Sequence, residues 1–161
     1  MTARVGLGYD SHRFDEKERL ILAGVHFPDS PGLKAFSDGD AVAHAVTDAI
    51  LGAAALGDIG SHFPPGQAEW RDADSMDLLS RSVDILAAAG WAPTNVDVTV
   101  ICEAPHIGPR AMEMRASLAN VLGVGPDAVS VKGKTNEGMG WIGRGEGLAV
   151  QAVAMISPAS G

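Results

Sequence analysis

The apolar positions of the chain fall into two rhythms, short runs near the ends and longer blocks between them. RVGLGYD, residues 4–10, and LILAGVHF, residues 20–27, read as short strands. The charged run DEKER, residues 15–19, separates them as a turn; Pro28 closes the second strand, and DSPGLK reads as a loop. SDGDAVAHAVTDAILGAAALGD, residues 37–58, is apolar nearly all round and predicts a buried helix. Ser37 or Asp38 would cap its start, and Gly57 lies at its end. HFPPGQAEWRDA is a loop, and DSMDLLSRSVDILAAAG a second helix with Asp74 or Ser75 as cap and Gly90 as stop. NVDVTVICEAP alternates as a strand, RAMEMRASLANVLG is a third helix, and AVSVKGKT and EGLAVQAVAMI are the last strands. The order ββαα, then β, α, β, β predicts an α+β fold with helices on one face of a mixed sheet.

The length, 161 residues, is enough for one domain with a real core, here residues 1–161. No apolar run reaches 18 residues, so no transmembrane helix is expected. MTARVGLGYD lacks the apolar segment of a secretory signal. With Cys102 as the only cysteine, no internal disulfide forms and a cytoplasmic setting is expected. The net charge of −8, with Lys and Arg scattered, argues against a nucleic-acid partner. An anionic small molecule would need local cations or a metal to bind against that background.

That need directs the search for chemistry. Asp10 and His12 stand two apart in a strand and share one face. His44 lies mid-helix, with Asp40 four residues before it and Asp48 four after. Two readings are open for His44. It is a core histidine bonded to a neighbouring carboxylate, or the third leg of a two-His, one-Asp site. The second would suit zinc with an open fourth position, and Asp40 or Asp48 would then orient the ring. Among the other histidines, His26 reads as a surface residue, His62 sits in a loop, and His106 ends a strand where ligand-contacting loops start.

KGKTNEGMGWIGRGEG, residues 132–147, is with Lys132, Lys134 and Arg144 the most cationic stretch near a strand end. Its GMGWIG formally matches a dinucleotide fingerprint, but a strand rather than a helix follows and no βαβ unit can close. It is either a flexible hairpin or an anion cradle. In the cradle, Thr135, Asn136 and backbone N–H groups would donate, and Glu137 would hold a cation. GDIGSHFP, residues 57–64, adds Asp58 in a tight glycine turn.

GYDSHRF, LKAFSDGDAVAHAVTDAILGAAALGDIGSHFP, NVDVTVICEAP and GRGEG together resemble the 2-C-methyl-D-erythritol 2,4-cyclodiphosphate synthase family of the non-mevalonate isoprenoid pathway, over about residues 4–156. The resemblance implies a chorismate-mutase-like α+β fold on a mixed four-stranded sheet, and a homotrimer with active sites between subunits. It implies a phosphorus–oxygen lyase that converts 4-diphosphocytidyl-2-C-methyl-D-erythritol 2-phosphate to the cyclodiphosphate and CMP.

The family's zinc ligands fall on Asp10, His12 and His44, and its second divalent ion, Mg2+ or Mn2+, on Glu137. Asp58 and Thr135 become the candidate catalytic side chains. Substrate contacts fall on Asp10, His12, Phe36, Ser37, Asp58, Ile59, Gly60 and Phe63. The cytidine positions are Cys102, Ala104, Pro105, His106, Ile107 and Gly108. Lys134, Thr135, Asn136, Glu137, Trp141 and Arg144 complete the ligand positions. Three positions depart from the family pattern: Phe36 where it has His, Pro65 where it has Asp, and His106 where Lys is common. Two rivals follow, a zinc phosphoester hydrolase without a cytidine pocket and a non-catalytic trimer that binds isoprenoid diphosphates.

Overall fold

Residues 4–22 form one long strand, because the charged run in their middle bulges instead of turning. In this computed structural model, which describes residues 2–160, the elements in order are β1 (Arg4–Leu22), β2 (Val25–Leu33), α1 (Ala41–Ala53), α2 (Ile59–His62), α3 (Ser75–Ala88), β3 (Trp91–Ile101), α4 (Ala111–Leu122), β4 (Val129–Lys134), α5 (Gly140–Gly143) and β5 (Gly147–Pro158). Met1 and Gly161, the ends of the expected domain, lie outside the described residues.

Two expectations are corrected here. DEKER is not a turn: the β1–β2 register jumps from Asp15↔Gly32 to Arg19↔Pro31, so the charged residues bulge out of an exposed ladder. The turn is instead Ala23–Gly24, with φ of 53° and 73°, the positive pair that a two-residue I′ hairpin needs. DSPGL is accordingly part of β2. Among the described residues the sheet also has five strands rather than four, in the order β2-β1-β5-β3-β4. The reason is the length of β1. Arg4–Arg13 pairs with β5, while Phe14–Leu22 pairs with β2. The sheet is mixed, since β3 and β4 run parallel and the other pairs antiparallel.

The helices cover one face, with α1 on β1 and β5, α3 on α1 and β3, and α4 on β4. Leu20, Ile50, Leu79, Leu86, Met114, Leu118 and Leu148 fill the core between the layers. Gly6 and Gly8 let β1 lie directly against α1. A Cβ at Gly8 would sit 1.7 Å from the Ala45 carbonyl oxygen, and one at Gly6 would sit 2.0 Å from that of Ala49. The opposite face of β1 and β5 is open: Val5 and Leu7 are 67% and 66% exposed, and Tyr9 and Val153 are also exposed. No described helix is long and apolar enough to cross a membrane.

Candidate functional site

The close approach at Gly6 and Gly8 sets up the site, because Asp10 and His12 continue the same face of β1 toward α1. There Asp10 Oδ2 lies 2.9 Å from His12 Nε2 and 3.0 Å from His44 Nδ1. The three ligand atoms all fall within 4.8 Å of one another. The outer nitrogen of each ring is committed elsewhere. His12 Nδ1–H donates to the Lys34 carbonyl at 3.0 Å. Ser75 Oγ donates to Asp38 Oδ1 at 2.5 Å and therefore accepts from His44 Nε2–H at 2.8 Å. Those partners fix the tautomers so that both inner lone pairs face the Asp10 carboxylate. Three acceptors converging with no proton between them repel, so the donor set calls for a cation. Two imidazoles and one carboxylate fit zinc with an open coordination position.

A proton answers the same demand. The hydrogen bond to Asp10 raises the His12 pKa above its ordinary value, against the opposing effect of burial. For Asp10, burial alone would raise the pKa, but the interactions with the neighbouring His12 and His44 together outweigh it and hold the carboxyl low.

Neither aspartate on α1 orients His44. Asp40 instead caps the helix, taking the N–H groups of Ala43, Ala23 and Gly24 at 3.0, 2.8 and 2.7 Å. Its full burial pushes its pKa up to about 6 against those donors. The helix therefore starts at Ala41, not at Ser37 or Asp38, and Asp38 serves Ser75 instead. Asp48 accepts from Ile59 N–H at 2.8 Å and so anchors α2 beside the site. Ser75 and Asp38, which actually hold His44, lie outside its helix, and helical spacing could not find them.

A cleft of about 240 Å³ opens beside the cluster. His12, Phe36, Ser37, His44, Ile59, Gly60 and Phe63 line it, together with Pro65, Trp70 and Leu78. No lysine or arginine is in that lining; the Arg71 guanidinium lies 5.4 Å from the centroid of the Phe36 ring. Asp58 caps α2, and its carboxyl is held low by hydrogen bonds from Ser61 Oγ and N–H, at 2.6 and 2.8 Å.

A second cleft, of about 130 Å³, gathers Cys102, Pro105, His106, Ile107, Gly108, Lys134 and Thr135, with Glu103 and Gly133 added. The two clefts share one end of the sheet. Ser11, Ala149, Ile101 and Lys134 form a single row across β1, β5, β3 and β4. Three strand spacings of ~4.8 Å put Lys134 roughly 14 Å from β1, so one chain does not bring the clefts together. Trp141 lines a third hollow with Ser11, His12, Arg13 and Glu146. Ala104, Glu137 and Arg144 are exposed, Asn136 is half-buried, and Arg144 pairs with Glu146 at 2.7 Å.

Some of the donors that an anion cradle would use are engaged within the chain. Asn136 N–H and Gly138 N–H both donate to Glu103 Oε1, at 3.0 and 3.1 Å, and Asn136 Nδ2 donates to the Met139 carbonyl at 2.8 Å. These donors serve the protein's own fold. Glu103 was missed because nothing in ICEAP shows that it reaches a loop 33 residues away.

The YgbB family model matches residues 3–157. The 2-C-methyl-D-erythritol 2,4-cyclodiphosphate synthase of Gemmatimonas aurantiaca is 56% identical over 153 residues, covering 95% of this chain and 92% of that protein. Among solved structures, IspF of Plasmodium falciparum, as a CDP complex, matches with a TM-score of 0.85 at 31% identity, over 98% of this chain and 97% of that one. The bifunctional IspDF of Campylobacter jejuni gives a TM-score of 0.95 at 38% identity over 99% of this chain, which spans 43% of that longer protein.

Proposed function

The chain belongs to the YgbB family, and from that premise we propose that it catalyses the cyclodiphosphate synthase reaction. The substrate is 4-diphosphocytidyl-2-C-methyl-D-erythritol 2-phosphate. An oxygen of its 2-phosphate attacks the β-phosphorus, the bond from that phosphorus to the bridging oxygen breaks, and CMP leaves with that oxygen. The observation that carries the reading is the convergence of Asp10, His12 and His44 at the wall of a cleft in a chain of this family.

Asp10, His12 and His44 would hold zinc, and Glu137 a magnesium or manganese ion; bound there, these ions supply Lewis-acid stabilisation of phosphate charge. The protein's own part is positioning and exclusion of water. Ser37, Ile59, Gly60 and Phe63 shape the cleft around the methylerythritol phosphate, with Asp58 at its edge. The second cleft, from Cys102 to Gly108, takes the cytidine, and Lys134 with Thr135 meets the phosphates. Water kept out by Ile59, Phe63 and Trp70 cannot compete with the internal 2-phosphate, which favours cyclisation over hydrolysis.

The two clefts lie apart in one chain, and β1 and β5 present an apolar face with exposed Val5, Leu7, Tyr9 and Val153. Both features support a homotrimer in which one subunit's metal cleft meets a neighbour's cytidine cleft. The single buried Cys102 is in keeping with a cytoplasmic enzyme. Phosphorus NMR of the zinc- and magnesium-loaded protein with its substrate tests the reading. Cyclodiphosphate and CMP in equal amounts support it. A linear phosphate product would favour a hydrolase, and an unchanged substrate spectrum a non-catalytic binder.

A further inference from the structure

Glu137 has φ of +54°, a left-handed conformation that is unfavourable for a residue with a side chain and persists only where its surroundings impose it. The flanking amides show what imposes it. The N–H groups of Asn136 and Gly138, on either side of Glu137, converge on one oxygen, Glu103 Oε1. Amides that converge on one anionic atom form a nest-like cradle, while the Glu137 N–H between them donates to Thr135 Oγ1 at 3.3 Å. Here the nest is filled by a carboxylate of the same chain. Glu103 itself stands on firm ground, just past β3, where the preceding residue Cys102 donates its N–H to the Lys134 carbonyl at 2.9 Å. The loop from Thr135 to Gly138 is thus tied to the sheet by one side chain, while Glu137 remains exposed.

We propose that Glu103 is a positioning residue that holds the strained backbone of Glu137, and through it presents the Glu137 carboxylate to a divalent cation at the edge of the cytidine cleft. The inference rests on the metal role proposed above for Glu137. It adds that metal affinity there is set by a residue that touches neither metal nor substrate. Charge placement agrees with this. A free carboxylate lining a phosphate cleft would repel the ligand, whereas Glu103 spends its charge on two backbone N–H groups.

Two measurements test this. The first is a stability cycle that does not depend on turnover, so its failure is distinct from failure of the catalytic reading. Glu103→Ala lowers Tm, and it lowers Tm by less when Glu137→Gly is also present, because glycine takes a positive φ without strain. Strictly additive shifts overturn the proposal. The second is the magnesium dependence of turnover. In Glu103→Ala the magnesium concentration for half-maximal rate rises about tenfold or more, as for other residues that orient metal ligands. Zinc per chain stays at the wild-type value. Glu103→Gln keeps an acceptor oxygen but loses its charge, and falls between wild type and Glu103→Ala. If Glu103→Ala does not fold, the rise in Glu103→Gln alone decides. Wild-type magnesium dependence in every variant that folds overturns the proposal, as does zinc loss that accounts for the whole effect.

Discussion

Replacing Gly8 with alanine should break the metal cluster without touching any of its members. The new Cβ would lie 1.7 Å from the Ala45 carbonyl oxygen and 2.7 Å from its carbon, both backbone atoms that cannot rotate away. Contacts shorter than 3.0 Å do not persist, so α1 must retreat from β1 by about 1.3 Å. His44 is the residue next to Ala45 and moves with it, whereas Asp10 and His12 stay on β1. Metal–ligand distances tolerate only about 0.2 Å. The retreat is several times larger, so zinc affinity should fall steeply. Overpacking of this kind costs about 1–3 kcal/mol, and a domain of this length loses about 2–4 °C in Tm per kcal/mol. Gly52→Ala is the control. It lies in the last turn of the same helix, its Cβ would meet nothing within 4 Å, and exchanging glycine for alanine there should leave stability unchanged or raise it by less than about 1 kcal/mol. The assay is zinc per chain by atomic absorption, with calorimetry on the same samples. A Gly8→Ala protein with a full zinc complement and wild-type Tm would refute the argument that this glycine sets the site.

Phe36→His should raise kcat with little change in KM, by up to on the order of 10²–10³, because a phenyl ring offers no hydrogen bond to developing phosphate charge; an unchanged kcat would mean that the site works around Phe36 and the nearby Arg71. Zinc affinity should rise with pH through the range where His12 loses its proton, since its folded pKa is raised and the metal needs the free ring; pH-independent affinity would exclude His12 as a ligand. In chelator-treated protein the same shift has the opposite sense for stability. The His12–Asp10 contribution is complete below the ordinary histidine value of 6.5 and is lost as pH rises through the higher folded value, which melting curves between pH 6 and 8 should show. Cys102, buried and pushed up to about 11 mainly by desolvation, should resist iodoacetamide at pH 8 in the native protein, and rapid labelling would contradict its placement.

How much of this was legible in the sequence depended on the range of the interaction. Asp10 and His12 declared themselves through strand alternation, and His44 through its place on an otherwise apolar helix. Their meeting required Gly6 and Gly8, whose purpose shows only when the helix lies on them. DEKER misled because charged residues signal a turn or an exposed bulged strand equally well, and the real turn, Ala23–Gly24, was hidden inside an apolar run. Asp40 and Asp48 were reasonable partners for His44 by helical spacing, yet each serves backbone N–H groups of another segment. The choice between hairpin and anion cradle stayed open in the sequence for a similar reason, since an amide looks free in a glycine-rich stretch until a distant side chain such as Glu103 takes it.

The central claim is that Asp10, His12 and His44 form a zinc centre on which turnover depends. Zinc content and CMP release, measured side by side on wild-type and His44→Ala protein, test it most directly. The account predicts one zinc per chain and CMP release in the wild type, and loss of both in His44→Ala with the fold retained by circular dichroism. A zinc-free His44→Ala protein that releases CMP at the wild-type rate would contradict it.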